Sequence, residues 1–161
     1  MKVCQLLLLL QASSDSWILT PHPSIPLSDH SMSSLHVFHT SMYLLGGRRW
    51  DGNTSTWAST EVLNNPLGEW EEDGSNFGEG LGSVADFCSF QLSDEELLVS
   101  GGLVPDGMGG TKLSTQIRIY NFGSESWREL ASLPEGRAGH GCGVVQVGGG
   151  GVAYQTLCYC S

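Results

Sequence analysis

The groups in this chain that could do chemistry are five histidines, five cysteines and seventeen acidic residues. The histidines are His22, His30, His36, His39 and His140. His36 and His39 stand three apart, and on a strand such a pair points to opposite faces, so the two do not share a ligand. His140-Gly141-Cys142 would put an imidazole and a thiol on one strand face, and Cys158-Tyr159-Cys160 two thiols. Neither has the spacing of a structural zinc site. The acidic runs Glu69 to Asp73 (interrupted by Trp70) and Asp94-Glu95-Glu96 sit beside turns and read as solvated loops. There is no Gly-x-Ser-x-Gly elbow and no phosphate-cradling glycine loop. The reading is therefore non-catalytic, with no cofactor and no metal.

Binding is the chemistry that remains. Arg48-Arg49-Trp50 joins the two residue types most frequent at protein-binding hot spots. The bland alternative has Trp50 merely covering a neighbouring sheet. The segment from Val104 to Gly110, with Asp106 and Met108, is the corresponding loop 55 residues or so further on. Asn53-Thr54-Ser55 is an N-glycosylation acceptor triplet, which has meaning only if the chain enters the secretory pathway.

Charge narrows the partner. Seven basic against seventeen acidic residues give a formal net charge of −10, and Arg48-Arg49 is the one adjacent basic pair. Nucleic acid and anionic membrane surfaces need clustered Lys or Arg, so both are set aside. The run Leu6 to Leu10 is far too short to span a bilayer as a helix. Charged residues are only 15% of the chain and glycines number 22, a composition suited to strands and turns.

The elements that must position these residues recur. Trp17, Trp70 and Trp127 are 53 and 57 residues apart, and Ser14-Asp15-Ser16-Trp17 matches Ser124-Glu125-Ser126-Trp127. Between them fall the doublets Gly46-Gly47 and Gly101-Gly102, each closing an apolar run. Leu10, Leu63 and Tyr120 each stand seven before a tryptophan, and His30 and His140 each thirteen after one. Glycines at a strand end allow positive φ and close backbone approach. A tryptophan on an outer strand can cover the gap to the next sheet. Alternation over Ile117–Tyr120 places Ile117 and Ile119 on one face. Val144, Val145 and Val147 suit a strand buried on both sides. No stretch holds a 3.6-residue apolar period for ten residues, so helices should be few. The cysteines are Cys4, Cys88, Cys142, Cys158 and Cys160, and an odd count leaves one unpaired or removed with a leader. Cys88 and Cys142 hold similar places in successive repeats and could be neighbours; the expectation is that they are small buried hydrophobes.

A period near 50 residues built from short apolar runs and glycine turns is the mark of radially repeated sheets. The pattern resembles the kelch repeat of the galactose oxidase/kelch-like propellers. Its best copy is Leu98-Val99-Ser100-Gly101-Gly102, then Ile119-Tyr120, Trp127, and Leu133-Pro134-Glu135-Gly136-Arg137-Ala138-Gly139-His140. The resemblance covers roughly residues 10 to 155. It implies an all-β propeller fragment of about three blades of four-stranded antiparallel sheet: two full blades at 30–73 and 83–131, the outer strands of a partial blade at 1–20, and inner strands of a partial blade at 140–161. The repeat residues are then Trp17, Gly46, Gly47, Trp70, Gly101, Gly102, Tyr120, Trp127, Arg137 and His140, with the two histidines of the frame bonding backbone carbonyls where a blade begins. The doublet due near 156–158 is replaced by Thr156-Leu157-Cys158. Open sheets leave unpaired edges, so the chain is expected to be a fragment, a truncated isoform, or a protomer completed by other chains.

The resemblance implies a protein-interaction module: a scaffold presenting loops, with Arg48, Arg49, Trp50, Asp106 and Met108 as contacts. Residues 1–12 read either as a strand or as a short secretory leader with Ala12 near the cleavage point. The strand reading goes with a cytoplasmic protein. The leader reading goes with a secreted or cell-surface kelch-type protein carrying disulfides and a glycan on Asn53. A third reading is an incomplete galactose-oxidase-like enzyme propeller. That chemistry needs a Tyr–Cys crosslink and histidine ligands, for which no matching positions occur.

Overall fold

The computed structural model describes residues 8–11, 16–19, 35–50, 55–65, 67–147 and 151–157. Their strands follow in order as β1 (Leu8–Gln11), β2 (Ser16–Leu19), β3 (Leu35–Phe38), β4 (Ser41–Leu44), β5 (Arg48–Trp50), β6 (Ser55–Trp57), β7 (Glu61–Leu63), β8 (Glu71–Glu72), β9 (Cys88–Gln91), β10 (Glu96–Ser100), β11 (Leu103–Pro105), β12 (Thr111–Leu113), β13 (Ile117–Asn121), β14 (Ser126–Glu129), β15 (Gly141–Val147) and β16 (Gly151–Leu157). One short helix, α1 (Asn76–Leu81), lies between β8 and β9. The described chain is thus all-β in class, and every strand pair is antiparallel. None of its helices is long and apolar enough to cross a membrane.

Two sheets share one plan. Sheet 1 has the order β3-β4-β7-β8 and sheet 2 the order β9-β10-β13-β14. In each, a two-stranded hairpin is inserted between the second and third strands: β5–β6 in sheet 1, β11–β12 in sheet 2. The glycine doublets sit where the second strand hands over to that hairpin. Gly46 and Gly47 have φ of 51° and 101°, Gly101 and Gly102 of 64° and 98°, all in the left-handed region that L side chains avoid. The Gly47 N–H donates to the Val84 carbonyl at 2.8 Å, and the Gly102 N–H to the Arg137 carbonyl at 2.6 Å. A Cβ at Gly46 would stand 2.5 Å from the Val84 oxygen, and one at Gly101 2.5 Å from the Arg137 oxygen. Each doublet is therefore the point where one sheet docks on the backbone leading into the next.

The main core fills the space between the sheets. Phe38 and Leu45 from sheet 1 meet Leu97, Val99 and Tyr120 from sheet 2, with Phe77 and Leu81 of α1 and the segment Val84 to Phe87. Phe38 stacks on Phe122 at 4.0 Å between centroids, and Phe77 stacks on Trp127 at 5.7 Å. A smaller cluster, Met42, Leu63 and Trp70 with Leu44 against it, lies on the other face of sheet 1. Strand β13 keeps Ile117 and Ile119 on one face and buries Ile119 and Tyr120 in succession. The strand has neighbours on both sides, and both faces exclude water.

Three expectations change. The tryptophans of the frame are not equivalent: Trp70 packs within its own sheet, whereas Trp127 donates its indole N–H to the Asn76 carbonyl at 3.1 Å and covers α1. Cys88 and Cys142 are not free hydrophobes but form a disulfide across 54 residues, fastening β9 to β15. His140 reaches a hydroxyl rather than a backbone carbonyl, its Nε2 lying 3.4 Å from Ser100 Oγ. Cys4, Cys158, Cys160, His22, His30 and Asn53 lie outside the described residues, as do the side chains of Trp17, Val144, Val145 and Val147.

Candidate interaction surface

The two inserted hairpins are the sequence-singled loops given shape. In β5–β6, Arg48 pairs with Trp57, and its guanidinium lies over the Trp57 ring at 5.6 Å from the centroid. That contact holds the half-buried Arg48 on the hairpin's own surface. Arg49 pairs with Thr56 and Trp50 with Ser55 across the same ladder; their side chains lie outside the described set.

The β11–β12 hairpin is built around Asp106. Its Oδ1 accepts from the N–H of Met108 and of Gly110, both at 2.8 Å, while the Gly110 carbonyl accepts from the Asp106 N–H at 3.1 Å. Those backbone donors hold the Asp106 carboxyl below the usual carboxylate range, with Lys112 adding to the effect. Asp106 thus shapes the loop rather than offering an unengaged charge. The product of that shape is Met108, 91% exposed at the tip, with Leu113 exposed on β12. Met108 and Leu113 are thus apolar side chains that this hairpin holds in solvent.

Behind the hairpins, the repeat residues make the rigid support. Arg137 acts through its backbone carbonyl at Gly102, while its guanidinium is 3.8 Å from Glu135. His140 is only 4% exposed, and its Nδ1 has no hydrogen-bond partner. Burial lowers its pKa, with Arg137 contributing in the same direction. In the preceding repeat the same place is taken by Phe87: its ring edge is 3.4 Å from the Cβ that Gly46 would carry, as His140 Cε1 is 2.6 Å from that of Gly101. Phe87 stands 17 residues after Trp70 and His140 13 after Trp127, a difference of one helical turn, so the fixed spacing hid the equivalence. The shared alanine of Val84-Ala85-Asp86-Phe87 and Arg137-Ala138-Gly139-His140 was the available signal, and Asp86 and Gly139 share a positive φ.

The remaining chemistry is dispersed. Among the described residues no three His, Cys, Asp or Glu side chains are placed to share a metal ion. Ser59, Thr60, Glu72, Asp73, Gly78 and Glu79 line an acidic cleft of about 340 Å³. Its Asp73 carboxylate is engaged by the Ser75 and Gly78 N–H groups, both at 3.1 Å, which fixes the start of α1. His36 Nε2 is 2.7 Å from Ser89 Oγ, a link between sheets 1 and 2, and its burial lowers its pKa.

No family model matches the chain, and no curated protein matches it. A solved structure described as "Structure of YjhT" aligns with 94% of this chain and 48% of its own length, at 16% identity and a TM-score of 0.46. The chain thus spans about half of that protein's length. So slight a likeness does not bear on function.

Proposed function

We propose that this chain is a non-catalytic protein-interaction module of the kelch-propeller type, presenting its inserted hairpins to a protein partner. The observation that carries the reading is the repetition of one device. Two four-stranded meanders each dock through a Gly-Gly N–H onto the following segment, and each projects one hairpin. Rigid repeats with solvent-facing loops are what a recognition scaffold requires. The contact set is centred on Met108 and Leu113, joined by Arg49 and Trp50; Arg48 and Asp106 shape the hairpins that carry it. The test compares proteins captured by the native chain and by a Met108→Asp, Leu113→Asp variant of equal stability. The reading expects a partner lost with the variant, and an identical set of captured proteins would sink it.

One observation favours the secreted or cell-surface version of this function over a cytoplasmic one. The Cys88–Cys142 disulfide links two strands that the fold already brings together, and such bonds persist in oxidising compartments. On this reading Asn53 carries a glycan. Peptide mapping of the natural protein checks it; an unmodified Asn53 returns the chain to the cytoplasmic reading.

A further inference from the structure

The segment from Leu133 to Cys142 lies as a strap across the base of the β11–β12 hairpin. It starts where the Leu133 N–H donates to the Thr115 carbonyl at 2.8 Å. Gly102 and Ser114 face each other at that base, one step beyond the pair Leu103↔Leu113. In an antiparallel ladder every second pair exchanges two hydrogen bonds. Here the Ser114 N–H donates to the Gly102 carbonyl at 2.8 Å, but the return bond is replaced by a residue of the strap. The Arg137 carbonyl accepts from the Gly102 N–H at 2.6 Å, and the Arg137 N–H donates to the Ser114 carbonyl at 3.1 Å. One rung of the hairpin is thus held open by Arg137. Beside it Gly136 backs onto Leu113, so closely that a Cβ at 136 would stand 2.7 Å from the Leu113 Cβ.

Sheet 1 has the same device, fastened differently. The Ala58 N–H donates to the Gly47 carbonyl at 3.0 Å and the Gly47 N–H to the Val84 carbonyl, so Val84 stands where Arg137 stands in sheet 2. That strap is secured by burial: Val84, Ala85 and Phe87 are each 2% exposed. In sheet 2, Arg137 and Ala138 are only half-buried and Gly139 is exposed. Their strap is held by the Gly139 N–H on the Asp86 carbonyl at 2.8 Å, by the 3.4 Å approach of His140 to Ser100, and by the Cys88–Cys142 bond just beyond. Among the described residues β15 pairs with β16 alone. The disulfide therefore joins this end of the strap to β9 where no ladder does.

We propose that the Cys88–Cys142 disulfide is a redox latch on the β11–β12 hairpin. Oxidised, it holds the strap on the hairpin base and fixes the pose in which Met108 and Leu113 meet a partner. Reduced, it lets the strap lift. This rests on the binding function proposed for the hairpins and adds its regulation. Cys142 is half-buried and Cys88 buried, so an external thiolate attacks the Cys142 sulfur. The S–S bond breaks and Cys88 leaves as a thiolate, which takes a proton from water. A second external thiol then displaces the first from Cys142, leaving two protein thiols and an oxidised reductant. Once the strap is off, the Gly102 N–H and the Ser114 carbonyl complete the rung with each other, and Leu113 loses the Gly136 backbone. The hairpin base thus has two arrangements, each with its backbone groups satisfied. The clamped one binds better, because a loop fixed beforehand has less freedom to lose.

The test is amide hydrogen exchange, read residue by residue by NMR, on the native chain and on Cys88→Ala, Cys142→Ala in the same buffer. The Arg137 and Gly139 amides bond from the strap; the Gly47 and Ala58 amides hold the corresponding place in sheet 1. In the variant the first pair is expected to lose at least about tenfold more protection than the second, and the native chain treated with a dithiol reductant to match it. An equal loss in both pairs, or no loss, overturns the proposal. Should the variant fail to fold, Gly136→Ala with the disulfide intact pushes the strap off Leu113; the φ of Gly136 is not left-handed, so alanine adds contact rather than backbone strain. It is expected to produce the same selective loss at Arg137, and full protection there overturns the proposal. Proteins captured by the native chain and by the folded variant give the second readout. At least tenfold less partner on the variant is expected, and an equal amount overturns the regulation. No partner on either removes the binding function together with its regulation, while the exchange rates decide the latch by themselves.

Discussion

Removing the Cys88–Cys142 disulfide should cost this protein a large part of its stability. The bond closes a loop with a sequence separation of 54, and that loop contains all of sheet 2. In the chain-entropy model, freeing the unfolded chain from a loop of that length is worth about 4 kcal/mol at 25 °C, close to the middle of what native disulfides contribute. A domain of this size has only about 5–15 kcal/mol in hand, so the loss should be plain in a urea titration. The Cys88→Ala, Cys142→Ala chain should unfold at a much lower urea midpoint than the native protein. Adding a dithiol reductant should bring the native midpoint down to that of the variant and leave the variant unmoved. Thiol titration of the unreduced, denatured protein should find two fewer thiols than after reduction. A midpoint change worth less than about 1 kcal/mol would refute the reasoning on loop closure. Five free thiols without reductant would refute the bond itself.

Gly101→Ala should lose about 2 kcal/mol or more in the same titration, since alanine at φ 64° is strained and its Cβ would press on the Arg137 carbonyl; a neutral result would remove the doublet's docking role. Acid should weaken the fold through His36 and His140, whose pKa values burial depresses below 6.5. The unfolded chain takes up those protons first, so stability is fully present above about pH 6.5 and falls as pH drops below it. A urea midpoint that holds or rises between about pH 7.5 and about pH 5.5 contradicts this. His140→Phe, which puts the Phe87 solution into sheet 2, should keep or raise stability at neutral pH and flatten that acid slope, because it removes a buried nitrogen without a partner. A loss beyond about 1 kcal/mol would show that the imidazole is required there.

What the sequence exposed and what it hid divide along physical lines. The doublets were legible because positive φ and contact with a neighbouring backbone leave glycine as the only comfortable residue. The helix was not legible: Asn76-Phe77-Gly78-Glu79-Gly80-Leu81 holds two glycines and should favour coil. It forms because Ser75 and Asp73 satisfy its first N–H groups, because Phe77 and Leu81, four apart, bury into the core, and because Trp127 lies where a Gly80 side chain would be. The disulfide needed three dimensions, since similar places in two repeats do not fix whether strands β9 and β15 adjoin. The residues singled out for binding differ in their surroundings. Met108 is open to solvent, while Arg48 and Asp106 are held by Trp57 and by the loop's own backbone.

The central claim, that the inserted hairpins are a binding face, is tested most directly by a photo-crosslinking residue placed at Met108, with Leu67 as the control site. In cells that make the protein, the account expects one reproducible protein adduct from position 108 and none from 67. Indistinguishable adducts from the two positions, or no adduct from 108, would contradict it.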